Sequence, residues 1–219
     1  MLHNRRNGDL YASTVDTVYR NIKRMILLKE LRAGQKLSEI GLSEQLGVSR
    51  TPVHEALRRL ESNGFVVIVQ KSGAWVASPT RKEVEDTYAV RAKLEGWTAS
   101  MAVHRVTPLF LARLEKKIEE EDEIFKVRDL ERYIEVNTAF HMIIAETAGN
   151  LVLTEYIADI LSKTFVYMVF MDRYFDFENN PSLDEHRRIL DAFTAKDEAL
   201  CVRLVERHVE TALLELNLD

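Results

Sequence analysis

The sequence predicts a mainly α-helical chain in two parts: a small N-terminal helical domain that ends in a two-stranded hairpin, and an all-helical antiparallel bundle of about six helices. Three observations predict it. Apolar residues recur at helical spacing along most of the 219 residues. The few Gly and Pro residues gather at joints, and the β-branched run from Phe65 to Val69 is followed by a turn and a short return.

Val15, Val18, Ile22, Met25 and Ile26 repeat at helical spacing and predict a first helix that covers the back of the next two. Ser38 is placed to cap a second helix, with Glu39 in its first turn, Leu42 and Leu46 as its buried stripe, and Gly47 as a left-handed stop. A third begins almost at once, capped by Ser49 or Thr51, with Pro52 in the first turn where a missing N–H costs nothing. Val53, Ala56, Leu57 and Leu60 stand at i, i+3, i+4 and i+7 and face inward. Arg50, Thr51, His54, Arg58 and Arg59 are thereby forced outward. Gly64 ends this helix, Lys71-Ser72-Gly73 makes a turn, and Trp75-Val76-Ala77 returns against Phe65 to Val69. Two short helices around a tight turn, followed by a hairpin, are the layout of a winged helix-turn-helix. Its polar outer face suits a reader of double-stranded DNA. A plain solvated surface is the competing reading, and for Arg59 it weighs equally.

Pro79 interrupts the pattern between Ala77 and Thr80, which predicts domains at 1–78 and 79–219. Charge divides at the same place. The chain as a whole carries a formal −5, but residues 1–80 carry +5 and residues 81–219 carry −10. The basic excess therefore lies with the helix-turn-helix, and repulsion from remote acidic surface is screened beyond about 8 Å at physiological salt.

Six helices are expected in the second part, at roughly 80–105, 108–126, 129–148, 150–172, 181–195 and 197–216. Pro108, Gly149-Asn150 and Asn179-Asn180-Pro181 mark breaks, and Lys196-Asp197 a weaker one. Short connections favour antiparallel neighbours and a bundle with an interior wide enough for a ligand. The acidic run Glu119 to Glu123 is expected as a solvated face. Composition, 46% apolar and 30% charged, is that of a soluble globular chain. Nothing reads as a membrane span or secretory leader, so a cytoplasmic protein is expected. Cys201 is the single cysteine; it excludes an internal disulfide and sits in a helical apolar pattern, as a packed thiol would.

Three histidines carry the chemistry of the bundle. His141, His186 and His208 each stand on an apolar stripe, and Asn137 lies one turn before His141 on the same face. A buried imidazole needs a partner for each nitrogen. Three facing one core meet that need by sharing a divalent metal, or separately as hydrogen-bonded core histidines.

Val48-Ser49-Arg50-Thr51-Pro52-Val53-His54-Glu55-Ala56-Leu57 resembles the recognition segment of GntR-family bacterial transcription regulators, which commonly reads V-S-R-T-P-V-R-E-A-L. Nine of the ten positions match, His54 being the departure. The resemblance implies that Arg50 reaches guanine edges, with Ser49 and Thr51 on phosphates or nearby bases; His54 and Arg58 of the outward face and the turn residue Lys71 are expected to join the DNA-binding set. Asn137-Thr138-Ala139-Phe140-His141, Ala148-Gly149-Asn150, Glu185-His186 and His208 resemble the FCD ligand-binding domain of the same regulators, in the FadR/VanR-like branch with six helices. That resemblance implies a metal site of Asn137, His141, His186 and His208, where the family usually has Asp at the first position. Zinc, nickel and manganese are all compatible with it. It further implies a small organic acid effector that Arg91 clamps, although Glu95, at i+4, is also placed to pair with Arg91. The expected whole is a homodimeric, metabolite-responsive regulator, a repressor released by its effector, with the helix after Thr80 linking wing to cavity. A metal-dependent hydrolase in a helical bundle is the alternative, with Glu146 and Glu185 as candidate bases.

Overall fold

The computed structural model describes residues 3–171, 180 and 182–216, with the side chains of the first helix from Thr14 onward. Two units divide it, Met1–Pro79 and Thr80–Asp219. Residue 172, Asn179 and Pro181, which belong to the predicted joint and its flanking helices, lie outside the described residues.

In the first unit, α1 (His3–Leu27) precedes a short strand β1 (Lys36–Leu37), then α2 (Glu39–Leu46), α3 (Arg50–Ser62), β2 (Val66–Val69) and β3 (Gly73–Val76). The Ser38 hydroxyl caps α2 by accepting the Gly41 N–H at 3.2 Å. Gly47, at φ 66°, supplies the left-handed residue that lets α3 begin three positions later. Ser49 holds the N-cap position of α3, but its side chain makes no capping bond. Val18, Ile22 and Ile26 of α1 and Val53, Ala56, Leu57 and Leu60 of α3 are all buried, as are Phe65, just before β2, and Val66 and Val76 of the sheet, and α3 packs against both α1 and β2. Each fully buried aliphatic side chain contributes about 1.5–3 kcal/mol, so packing rather than helix propensity holds these short helices.

The wing hairpin forms as expected, Val66 opposite Val76 and Val69 opposite Gly73, so Gly73, expected in the turn, opens the return strand and Ala77 lies beyond its end. β1 was not foreseen. It lies on the other edge of β3, Lys36 opposite Trp75 and Leu37 opposite Ala74, and two residues are too few to leave an alternating pattern. The Lys36 ammonium sits 5.3 Å from the Trp75 ring.

The second unit is helical: α4 (Arg81–Ala102) runs into a 3-10 turn (Val103–Arg105), followed by α5 (Pro108–Lys126), α6 (Leu130–Ala148), α7 (Leu151–Met171), α8 (Leu183–Ala195) and α9 (Glu198–Glu215). Side chains of Thr80, Thr107, Asp129 and Asp197 cap α4, α5, α6 and α9. α4 is the central element, packed against α6, α7 and α9. Phe110, Leu114, Phe140, Ile189, Phe193 and Val205 form one core cluster, with Phe110 and Phe193 edge to face at 5.2 Å. Cys201 is buried in the same cluster, and burial first, then Asp197, pushes its thiol up to about 12, as expected of an inert packed thiol.

The acidic run on α5 requires a correction. Glu121 is fully buried, because it continues the inward stripe of Leu114, Ile118 and Phe125, while Glu119 and Glu123 face solvent. Among the described residues, no helix is long and apolar enough to cross a membrane.

Candidate functional site

The outer face of α3 is polar, as its spacing requires. Arg50, Thr51, His54 and Arg58 are exposed along it, Ser49 precedes it, and Lys71 is exposed in the wing turn at φ 64°, a left-handed conformation that a side chain rarely adopts. Arg59 is different. Its guanidinium donates to the Asp16 carboxylate at 2.5 Å and lies 4.8 Å from the Tyr19 ring, which ties it back onto α1. Glu39, read from the sequence only as a helix-start signal in the first turn of α2, stands beside this face. One carboxylate oxygen lies 2.8 Å from His54 Nδ1 and the other 3.6 Å from Arg50. Arg58 Nε donates to His54 Nε2 at 3.4 Å.

In the second unit the three histidines converge. One ring nitrogen from each of His141, His186 and His208 lies within 4.8 Å of the others, and all three rings are buried. His141 comes from α6, His186 from α8 and His208 from α9, so the bundle must fold before the cluster exists.

Each ring is held from behind by a carboxylate. Glu95 is 2.5 Å from His141 Nδ1, Glu121 is 2.6 Å from His186 Nδ1, and Glu185 is 2.8 Å from His208 Nδ1. A carboxylate only accepts, so these contacts assign the proton to Nδ1 and turn each Nε2 lone pair inward, the form a metal ligand requires. The Nε2 atoms of His186 and His208 face one another at 3.2 Å, an arrangement that a shared proton or a metal ion satisfies. Metal–nitrogen bonds of about 2.0–2.1 Å place coordinated nitrogens at such separations.

Electrostatics point the same way. Burial alone would raise the Glu95 carboxyl, but His141 and Arg91 hold it well below the ordinary carboxylate range. Glu121, likewise opposed by burial, is held at about 2 by His186 and by donors from Asn180 and Tyr133. Burial acts against Glu185 too, and the bond from His208 lowers it. Burial pushes His141 down to about 4 and lowers His208, so both rings are neutral at neutral pH. Three carboxylates against one buried guanidinium leave two negative charges in excess, which a divalent cation would offset. The residues present therefore fit a metal ion.

Arg91 forms the expected pair with Glu95 and also lies against the histidine cluster. Its Nε donates to Glu95 at 2.6 Å within α4, while Nη2 reaches His141 Nε2 at 3.2 Å and Nη1 reaches Thr164 at 3.4 Å. Asn137 is brought to the same place, lining one cavity with Arg91, Tyr133 and His208, and its amide nitrogen is 3.5 Å from the Tyr133 hydroxyl. That cavity measures about 30 Å³, room for an ion or a water rather than the ligand-sized interior expected from the sequence. Sequence reading missed Glu95 and Glu121 as functional residues. The available signal was a carboxylate inside a buried helical stripe, Tyr88, Ala92, Glu95 and Ala99 on α4, and Leu114, Ile118, Glu121 and Phe125 on α5.

Comparison with known proteins covers both units. Residues 14–76 match the family described as bacterial regulatory proteins, gntR family, and residues 86–211 match the FCD domain. The YdhC HTH-type transcriptional regulator of Bacillus subtilis is 27% identical over 194 residues, 87% of this chain and 85% of its own. The HTH-type transcriptional regulator McbR of Escherichia coli is 27% identical over 212 residues, 95% of this chain and 92% of its own. The solved structure of E. coli McbR/YncC superimposes with a TM-score of 0.71 at 24% identity, covering 93% of this chain and 97% of that one. These relatives are transcriptional regulators, and the hydrolase alternative finds no support among them.

Proposed function

This chain belongs to the GntR family of bacterial regulatory proteins and carries an FCD domain, and on that premise, a DNA-binding transcriptional regulator, we propose that it is a repressor released by a small organic acid sensed at a metal site in its second unit. The three-histidine cluster, backed by three ionised carboxylates, carries this reading.

DNA is bound by α3 and the wing. Arg50, at the tip of α3, meets base edges; Ser49, Thr51, Arg58 and Lys71 meet phosphates or neighbouring bases, and His54 lies on the same face. Two copies of the chain bind the half-sites of a pseudo-palindrome, about 34–36 Å apart or a multiple of that.

In the second unit, His141, His186 and His208 hold a divalent ion, zinc, nickel or manganese, with the Asn137 amide oxygen as a neutral fourth ligand. When bound, such an ion offers open coordination positions to a carboxylate and offsets the excess negative charge. Glu95, Glu121 and Glu185 keep the rings in the ligating tautomer. Arg91, buried and already ionised, is placed to pair with an acid once it leaves His141 Nε2. Because the cavity holds little more than an ion, acid binding requires these side chains to rearrange, and that rearrangement couples occupancy to the α4 helix.

An electrophoretic shift with the DNA upstream of the protein's own gene tests the reading. The protein loaded with zinc, nickel or manganese is mixed with a panel of small carboxylic acids. Binding in the absence of acid and release by at least one acid are expected; a chain that ignores this DNA overturns the proposal. Sedimentation of the free protein tests the dimer.

A further inference from the structure

The outer face of α3 contains a hydrogen-bonded chain that reaches outside the helix. Glu39 Oε1 accepts from His54 Nδ1 at 2.8 Å, and His54 Nε2 in turn accepts from Arg58 Nε at 3.4 Å. The second Glu39 oxygen stands 3.6 Å from Arg50 Nη2. A carboxylate only accepts and a guanidinium only donates, so the two neighbours of His54 assign its proton to Nδ1 and occupy both ring nitrogens. An imidazole so placed has no donor or acceptor left for a base edge.

We propose that Glu39 is a positioning residue for DNA reading, which orients Arg50 directly and Arg58 through His54, and that His54 serves as a relay rather than as a reader of bases. This rests on the reading of α3 as the helix that enters the major groove. Its physical basis is the entropy of arginine. A free guanidinium on four rotatable bonds loses much of its freedom when it docks bidentately on a guanine, and a side chain already held in place loses less. The tether is also easily released. Arg50, Glu39 and His54 have side-chain exposures of 66%, 31% and 50%, and contacts this open to solvent are weak, so Arg50 can exchange the carboxylate, and Arg58 the imidazole, for DNA at little cost. Placing a carboxylate beside phosphates weakens attraction to any duplex equally. The residue therefore trades general affinity for discrimination.

Duplexes selected from a random-sequence library by the wild-type protein, and scrambled duplexes of the same composition, provide the probes. In Glu39→Ala the ratio of selected to scrambled affinity is expected to fall about tenfold, the scale of one well-oriented base contact. Affinity for the scrambled duplex is expected to hold or rise, since one negative charge is gone. Glu39→Gln, which can still accept from His54 but cannot form an ion pair with Arg50, should lie between. His54→Ala should lower the same ratio without changing the preferred base at any single position, and the Glu39→Ala/His54→Ala double variant should lose less than the product of the two single losses. Glu44→Ala, removing another exposed acid of α2, should leave the ratio unchanged.

A ratio that survives Glu39→Ala, with both affinities rising together, overturns the proposal and leaves Glu39 a bulk charge. A changed base preference at one position in His54→Ala overturns the relay. If the wild-type protein selects no sequence at all, the regulator reading fails first and takes this one with it; selection by the wild type with an unaltered Glu39→Ala ratio overturns this inference alone.

Discussion

The Nδ1 of His186 lies 2.6 Å from the carboxylate of Glu121, 65 positions earlier in the chain, and both side chains are buried. The pairing offsets much of the cost of burying the carboxylate, since an isolated buried carboxylate costs far more than one that accepts three hydrogen bonds. Tyr133 and Asn180 complete the set on the other oxygen, at 2.9 and 2.8 Å.

Glu121→Gln keeps the shape and removes the charge that fixes the His186 tautomer. Metal affinity is expected to fall by about 10–100-fold, the usual loss when an outer partner of a ligating histidine is changed. Titration of the metal-free protein with zinc against a chromogenic chelator measures this, and unchanged affinity would separate Glu121 from the site.

Removing a proposed ligand outright is expected to have a larger effect. His186→Ala and His208→Ala should each abolish stoichiometric metal in purified protein by elemental analysis, with the helical circular dichroism retained. A full complement of metal in both variants rules the cluster out as the binding site.

Arg50→Ala should cost about 1–3 kcal/mol of discrimination between operator and scrambled duplex, while metal content and oligomeric state stay as in the parent. Equal footprints from variant and parent on the upstream DNA contradict the role assigned to the tip of α3.

Glu215 gives a dependence on pH. Burial first, then repulsion from Glu185, raises its carboxyl from 4.5 to about 7. The folded protein thus holds a proton that the unfolded chain releases, so this contribution is complete below pH 4.5 and disappears as pH climbs through about 7. Denaturant unfolding at about pH 5 and about pH 8 should show the wild type losing stability over that interval and Glu215→Gln losing less. Identical losses in the two proteins would remove Glu215 as the cause.

Much of this molecule is legible in its residues for a simple reason. Apolar spacing at 3.6 residues and the Pro, Gly and Asp joints are local properties, so α3, the wing and the helices of the second unit could be placed from sequence. The three histidines were legible because each stands on such a stripe. Partners were harder to see. Glu95, Glu121 and Asn180 reach their rings or carboxylates across 46, 65 and 59 positions, and only the packed bundle brings them together. Glu121 was hidden further by Glu119, Glu120 and Glu123 around it, which make a buried acid look like one more member of a wet face. Arg59 shows the same limit from the other side: periodicity turned it outward from its own helix, and nothing local indicates that α1 would supply Asp16 and Tyr19 to receive it.

The Arg91 guanidinium rests against His141 with Glu95 closing the triangle. A zinc finger collapses when stripped because its ligands have nothing else to hold. In this bundle the guanidinium and Glu95 hold the His141 ring by themselves, so the fold of the second unit does not lean on the proposed ion as a zinc finger leans on its own.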